Sequence, residues 1–292
     1  MELQLKSLTD LFDDGIADLG LIDNCELGVD FLNIGKKIID LTRENARMHN
    51  IHTEKLREAI NYSRRSLEFL QQYTQVGVTA EILSELEKKI KLASDHVRIK
   101  LDFDYAKKFG HASQHRLRLE VRSTHHIKKE VNLLENITEN ERRIHEMLQQ
   151  RVWSRNDEEA QAYRSLVIGA WICLGRYTQK NRNDEKMVAA ALALAVKQDK
   201  YVAIITADNR IGDILIKTQR ALQTMNIPYM LRATNQPATT ISFERLRQRL
   251  EEGKVMVVTA LPTKVRYEVE YNSADFYQRK VAPAPVPVQI PV

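Results

Sequence analysis

Four acidic residues, far apart in the chain, occupy similar local settings. Asp23 ends the apolar run Leu19-Gly20-Leu21-Ile22, and Asp208 follows the apolar run Tyr201–Thr206. Glu85 falls in the first turns of a helical pattern that begins after Thr79, and Asp184 opens an Ala/Leu-rich helical pattern. Strand ends and helix starts share one edge of a parallel sheet, the edge where open α/β folds take their ligands. Four carboxylates gathered there repel one another unless cations neutralise them. Carboxylate oxygens with waters are the ligands that Mg2+ and Mn2+ take. Each acid also has a plainer use. Asp184 after Asn183, and Asp208 after its strand, are in place to cap helices, and Glu85 can pair with Lys88 or Lys89. If like-charge repulsion dominates, Asp208→Asn leaves metal-free stability unchanged or raised.

These positions depend on the elements that carry them. The run Tyr201–Asp208 is continuously apolar until its polar end, as a strand buried on both faces would be. Helical patterns flank it, one from Asn183 to Val196 and one from Ile211 to Met225, and Ile227–Leu231 reads as a further strand. That alternation is the unit of an α/β layer architecture. Residues 1–18 read as one short amphipathic helix, and Leu19–Asp23 as a brief strand. Apolar residues at helical spacing from Leu27 to Gln72 predict two or three helices. Val76–Thr79 predicts a strand, with Thr79 capping the helix from Ala80. Tyr163–Tyr177 is apolar nearly all round and predicts a buried helix. After a polar stretch over 232–240, a helix capped by Ser242 runs to Gly253, and two strands follow over Lys254–Ala260 and Val265–Tyr271. Proline at every second position makes the last residues, from Ala282, an extended polyproline-like tail.

Charge is unevenly spread. The chain of 292 residues is 43% apolar with a formal charge of +5, enough to build a core and compatible with a polyanionic partner. Residues 96–129 hold nine Lys/Arg and five His against three Asp/Glu. The histidine pairs His111/His115 and His125/His126 have no third ligand at a recognisable spacing, which argues against zinc. Cys25 and Cys173 make no disulfide framework and read as reduced core thiols. The longest apolar stretch, Leu166–Leu174, is too short to span a bilayer, and the N-terminus reads as having no basic-then-apolar leader. A soluble, cytoplasmic protein without membrane contact is expected.

The acid-bearing segments resemble the PIN-domain nuclease family. The resemblance is carried by Leu21-Ile22-Asp23-Asn24, by the block from Val78 to Leu86 with Glu85, by Asn183-Asp184-Glu185-Lys186-Met187-Val188, and by Ile205-Thr206-Ala207-Asp208-Asn209. It spans roughly residues 18–232 and implies a three-layer PIN-like domain, a mostly parallel sheet between helices. It further implies Asp23, Glu85, Asp184 and Asp208 as catalytic, metal-binding acids for Mg2+ or Mn2+. Asn24, Thr206, Asn209 and Asp213 would support them. Asn24 and Thr206 would orient the acids or the waters of the metal. The distance from Glu85 to Asp184 exceeds what a compact member needs, so a helical, basic insertion around 95–165 is implied. Asn24 stands where the family often has a small hydroxyl residue. Glu81, Glu87, Glu185 and Asp213 are neighbouring acids able to substitute. Residues 1–17 would precede this domain, a C-terminal α+β extension over 233–280 would follow it, and the proline-rich tail would occupy 281–292.

The chemistry implied is metal-assisted hydrolysis of a phosphodiester, with no Ser, Cys or His nucleophile required. Lys107, Lys108, Arg116, Arg118, Arg122, Lys128 and Lys129 would hold the nucleic-acid backbone through salt-sensitive, sequence-blind contacts. An endoribonuclease acting on RNA is the first expectation. DNA stays open as substrate, as does a homo-oligomer or a regulatory protein partner. The alternatives are a catalytically inactive RNA-binding or scaffold protein with a PIN-like fold, and a helical interaction platform over 27–165.

Overall fold

A computed structural model describes residues 6–7, 9–23, 49–92, 94, 114–153, 158–173, 183–206, 208, 210–224, 243–261 and 266–275. In chain order the elements are β1 (Lys6–Ser7), α1 (Asp10–Asp13), β2 (Leu19–Ile22), α2 (His49–Gln72), β3 (Val76–Gly77), α3 (80–92) and α4 (Gln114–Gln149). They continue as α5 (Glu158–Cys173), α6 (Asn183–Gln198), β4 (Val202–Thr206), α7 (Arg210–Thr224), α8 (Phe243–Glu251), β5 (Val255–Leu261) and β6 (Arg266–Asn272). The class is α/β. The strand expected over Ile227–Leu231, the cap at Ser242, the proline-rich tail, and Asn24, Cys25, Lys107, Lys108, His111 and Asn209 lie outside the described residues.

The chain divides into two compact units. Met1–Leu21, Trp153–Leu261 and Val265–Val292 make one, and Ile22–Val152 with Pro262–Lys264 make the other. In the first unit the strands run in the order β1-β6-β5-β4-β2. All five residues of β4 are buried, which explains their unbroken apolar character. β4 pairs in parallel with β5, from Val202 opposite Val255 to Thr206 opposite Thr259. The C-terminal strands expected as an α+β extension therefore belong to this sheet. Residues 262–265 are too few for a crossover, so β6 returns antiparallel to β5. Before β5, Gly253 takes φ +74°, and a Cβ there would meet the Asn272 side-chain oxygen at 2.6 Å. Glycine meets both demands.

Helix α6 is the buried spine of this unit. Every residue from Met187 to Val196 is buried, and five of those ten are alanine, so neighbouring elements approach closely. Its core partners are Leu166, Val167 and Ala170 of α5, Ile211, Ile214 and Leu215 of α7, Leu246 and Leu250 of α8, and the strands. The Asp18 and Leu19 N–H groups both donate to the Tyr201 carbonyl, and Asp18 Oδ2 accepts from the Tyr201 N–H at 2.8 Å. These bonds set the starts of β2 and β4 level. The single helix expected over 1–18 is instead a two-residue strand and one helical turn. Gly15, at φ +66°, closes the turn, and β1 pairs with β6 at Lys6–Tyr267 and Ser7–Arg266. One short helix is marginal in water, and the free edge of β6 offers the chain ladder bonds instead.

The second unit is built on α2 and α4. The Asn140 amide donates to Ser63 Oγ at 3.0 Å. Further on, Arg151 Nη1 donates to the carbonyls of Leu70 at 2.6 Å and Tyr73 at 3.3 Å. Val78 then bridges to Val152 in parallel. Both sequences advance together along these contacts, so the helices run in the same direction. Arg151 places its cation on the carbonyl end of α2, where the helix dipole favours it. Thr79 caps α3 as expected, its Oγ1 accepting from the Ile82 N–H at 3.4 Å. Helix α4 is 36 residues long, about 54 Å at 1.5 Å per residue. Among the described residues no helix is long and apolar enough to cross a membrane.

Candidate active site

At the end of β4 the chain turns sharply into α7, and side-chain oxygens fix that turn. Thr206, fully buried, accepts the Asp208 N–H on its Oγ1 at 2.9 Å. Asp208 Oδ1 then accepts the Arg210 N–H at 2.9 Å, and its carbonyl accepts the Ile211 N–H at 3.1 Å. This is the local use to which aspartate is suited at a helix start. The β4 end thus carries Asp208 in a defined orientation, held by a hydroxyl on one side and a backbone amide on the other.

Arg210 closes over the same carboxylate. Its Nε donates to Asp208 Oδ2 at 2.9 Å and Oδ1 at 3.1 Å, and its Nη2 to Oδ2 at 2.5 Å. Nη2 also lies 3.4 Å from Asp184 Oδ2, so one guanidinium joins an acid from the β4 end to an acid from the first turn of α6. Hydrogen bonding to Arg210 holds the Asp208 carboxyl below its ordinary pKa, against an opposing effect of burial. The Arg210 pKa is raised in turn, first by that hydrogen bond and further by the charges of Asp208, Asp184 and Glu185. Glu185 is 2% exposed, and its Oε2 is buried with no hydrogen-bond partner. A cation in the first turn of α7 opposes the helix dipole. Here the carboxylates outweigh that penalty. The Arg210 side chain is 55% exposed, and at such exposure an ion pair contributes roughly 1 kcal/mol or less.

The other candidates have different surroundings. Asp23, in the second unit, directly follows β2 and is buried. Glu85, in the same unit, makes an ion pair with Lys89 at 3.0 Å one turn along α3, the plainer of its two uses. Asp213 is solvent-facing and pairs with Lys217 at 3.5 Å. Arg116, Arg118, Arg122, Lys128 and Lys129 all fall within α4. Among the described residues, no group of three or more His, Cys, Asp or Glu side chains is placed to hold a metal ion. Asp184 and Asp208 are thus brought together through Arg210, while Asp23 and Glu85 belong to the other unit.

No family model, curated protein or solved structure matches this chain. The functional reading therefore rests on the residues, their geometry and the resemblance carried by the sequence. Two residues gain weight in the structure. Arg210 carries a signal available in the sequence, a basic residue where a helix start favours acids. Glu185, one of several acids able to substitute, is distinguished by an unsatisfied buried oxygen that no pattern of residue types reveals.

Proposed function

We propose that this protein is a metal-dependent endoribonuclease that hydrolyses phosphodiester bonds of RNA. The observation that carries the reading is the meeting of Asp184 and Asp208 at the carboxyl end of β4. The donor chemistry there fits a hard divalent cation such as Mg2+ or Mn2+, because it consists of carboxylate oxygens. The buried Glu185, next to Asp184 in the chain, acts electrostatically on the same guanidinium. Asp184 and Asp208 would hold the ion, with waters and substrate oxygens completing its shell. Such an ion, when bound, supplies an activated water and offsets charge on the leaving oxygen. The chain itself orients Asp208 through Thr206 Oγ1 and the Arg210 amide. It attracts the polyanion through the basic part of α4 and the residues before it, including Lys107 and Lys108. RNA as substrate rests on the family resemblance.

A second reading has an observation of its own. Arg210 already pairs with both Asp184 and Asp208, as it would in a catalytically inactive RNA-binding or scaffold protein. Labelled RNA and DNA, incubated with Mg2+, Mn2+ or EDTA beside Asp184→Asn and Asp208→Asn variants, separate the two. The nuclease reading expects RNA cleavage that needs the divalent ion and both acids. Cleavage that survives EDTA or either substitution sinks it, and RNA binding without cleavage selects the second reading.

A further inference from the structure

The guanidinium of Arg210 lies between the two carboxylates that the nuclease reading assigns to a metal ion. We infer that Arg210 is a built-in competitor for the divalent cation, so that guanidinium and metal exclude one another on Asp184 and Asp208. This rests on the proposed metal-dependent activity and adds a form of self-regulation to it. Three features of the site carry it.

The first is where the charge sits. Nε and Nη2 spend their hydrogens on Asp208 oxygens, and Nη2 reaches Asp184 as well. The arginine thus holds both Asp208 oxygens and Oδ2 of Asp184. The second is the imbalance that is left. Three carboxylates act on one guanidinium, and the buried Glu185 Oε2 has no partner. The single charge of one guanidinium does not balance this set, whereas a divalent ion on Asp184 and Asp208 offsets more of it. The third is ease of exchange. The Arg210 side chain is more than half exposed, so it can leave without disturbing the core. The Thr206 bond and the Arg210 backbone amide still orient Asp208 once it has gone.

The same backbone bond allows the side chain to be tested alone. Arg210→Ala retains the N–H that organises the turn, and Arg210→Gln retains the stem without the charge. Mn2+ binding to the full chain is measured by titration calorimetry, alongside the metal-induced rise in Tm. Both variants are expected to bind Mn2+ roughly tenfold more tightly than the wild type, with a larger Tm rise. Arg249→Ala serves as the control, because it removes a cation that the same unit pairs with Asp199 and Glu252. Unchanged or weaker Mn2+ binding in both Arg210 variants overturns the competition, while the metal site stands if Asp208→Asn abolishes wild-type binding. An equal gain in Arg249→Ala also overturns it, since the effect would then be one of net charge. Absence of Mn2+ binding in every form removes the competition and the metal-dependent reading together.

Discussion

Asp208 answers to two partners of different kinds, and substitution separates them. The guanidinium of Arg210 requires its charge, whereas the Arg210 amide requires only an oxygen in the right place. Asp208→Asn keeps that oxygen, so the metal-free protein is expected to lose only the ion pair, roughly 1 kcal/mol or less. Asp208→Ala loses the cap as well, a further change of about 1 kcal/mol. This reverses the expectation from charge repulsion alone, which gives equal or higher stability for Asp208→Asn. The nearest charge is an arginine, and residue types along the chain do not reveal its direction of reach. The pH dependence has a definite sign. The folded-state pKa of Asp208 lies below its ordinary value of 3.8, so its stabilisation is present above that value. It is lost as pH falls toward the folded-state value. Urea denaturation at pH 7 and at about pH 3 is expected to show the wild-type advantage over Asp208→Asn shrinking at the lower pH. An advantage that persists unchanged would assign the effect to something other than ionisation.

At the scale of elements, periodicity identifies most of the pieces but not what faces what. The unbroken apolar run is β4, the Ala/Leu pattern is α6, and Thr79 caps its helix. The N-terminal pattern misleads because Leu11 and Phe12 are buried by a single helical turn, with no longer helix needed. Helix α4 shows the limit most clearly. Its apolar positions mark a seam that the structure buries at Leu134, Ile137, Ile144 and Leu148, yet the same seam contains Glu141. Glu141 is fully buried, neither carboxyl oxygen has a partner, and desolvation raises its pKa well above 4.5. Near it, Asn140 reaches across to Ser63, so a polar level interrupts an otherwise apolar helix pair. Because the folded state holds the proton more tightly than the unfolded chain, stability is highest below the ordinary value. It then falls as pH rises toward the folded-state value. Glu141→Gln is expected to flatten that decline. Glu141→Leu is expected to gain roughly 1–3 kcal/mol at neutral pH by removing an unsatisfied buried group. Guanidinium titrations at pH 5 and pH 7.5 measure both effects, and a Leu variant less stable than wild type at pH 7.5 would show that Glu141 has a partner in solution.

At the scale of the molecule, the paired acids Asp184 and Asp208 and the basic candidates fall in different units. The carboxylates that meet at Arg210 belong to one unit, while Arg116, Arg118, Arg122, Lys128 and Lys129 lie on the long helix of the other. A basic segment is legible from composition alone, since charge density needs no partner to be read. The meeting of Asp184 and Asp208 depends on tertiary structure, and only their settings at a helix start and a strand end hint at it. If the proposed function holds, the two features should fail in different ways. Replacing Arg116, Arg118 and Arg122 together by Gln removes cations from the RNA backbone and leaves the carboxylates in place. RNA affinity should then weaken for all sequences alike, and the dependence of log K on log salt should become shallower by about one for each phosphate no longer neutralised. The rate of cleavage at saturating RNA should be unchanged. Asp184→Asn should show the opposite pattern, with RNA affinity retained and the saturated rate abolished. Filter binding across a salt series, paired with single-turnover cleavage, tests both variants on the same RNA. A triple variant with an unaltered salt slope would remove the basic helix from the substrate path, whatever became of the acids.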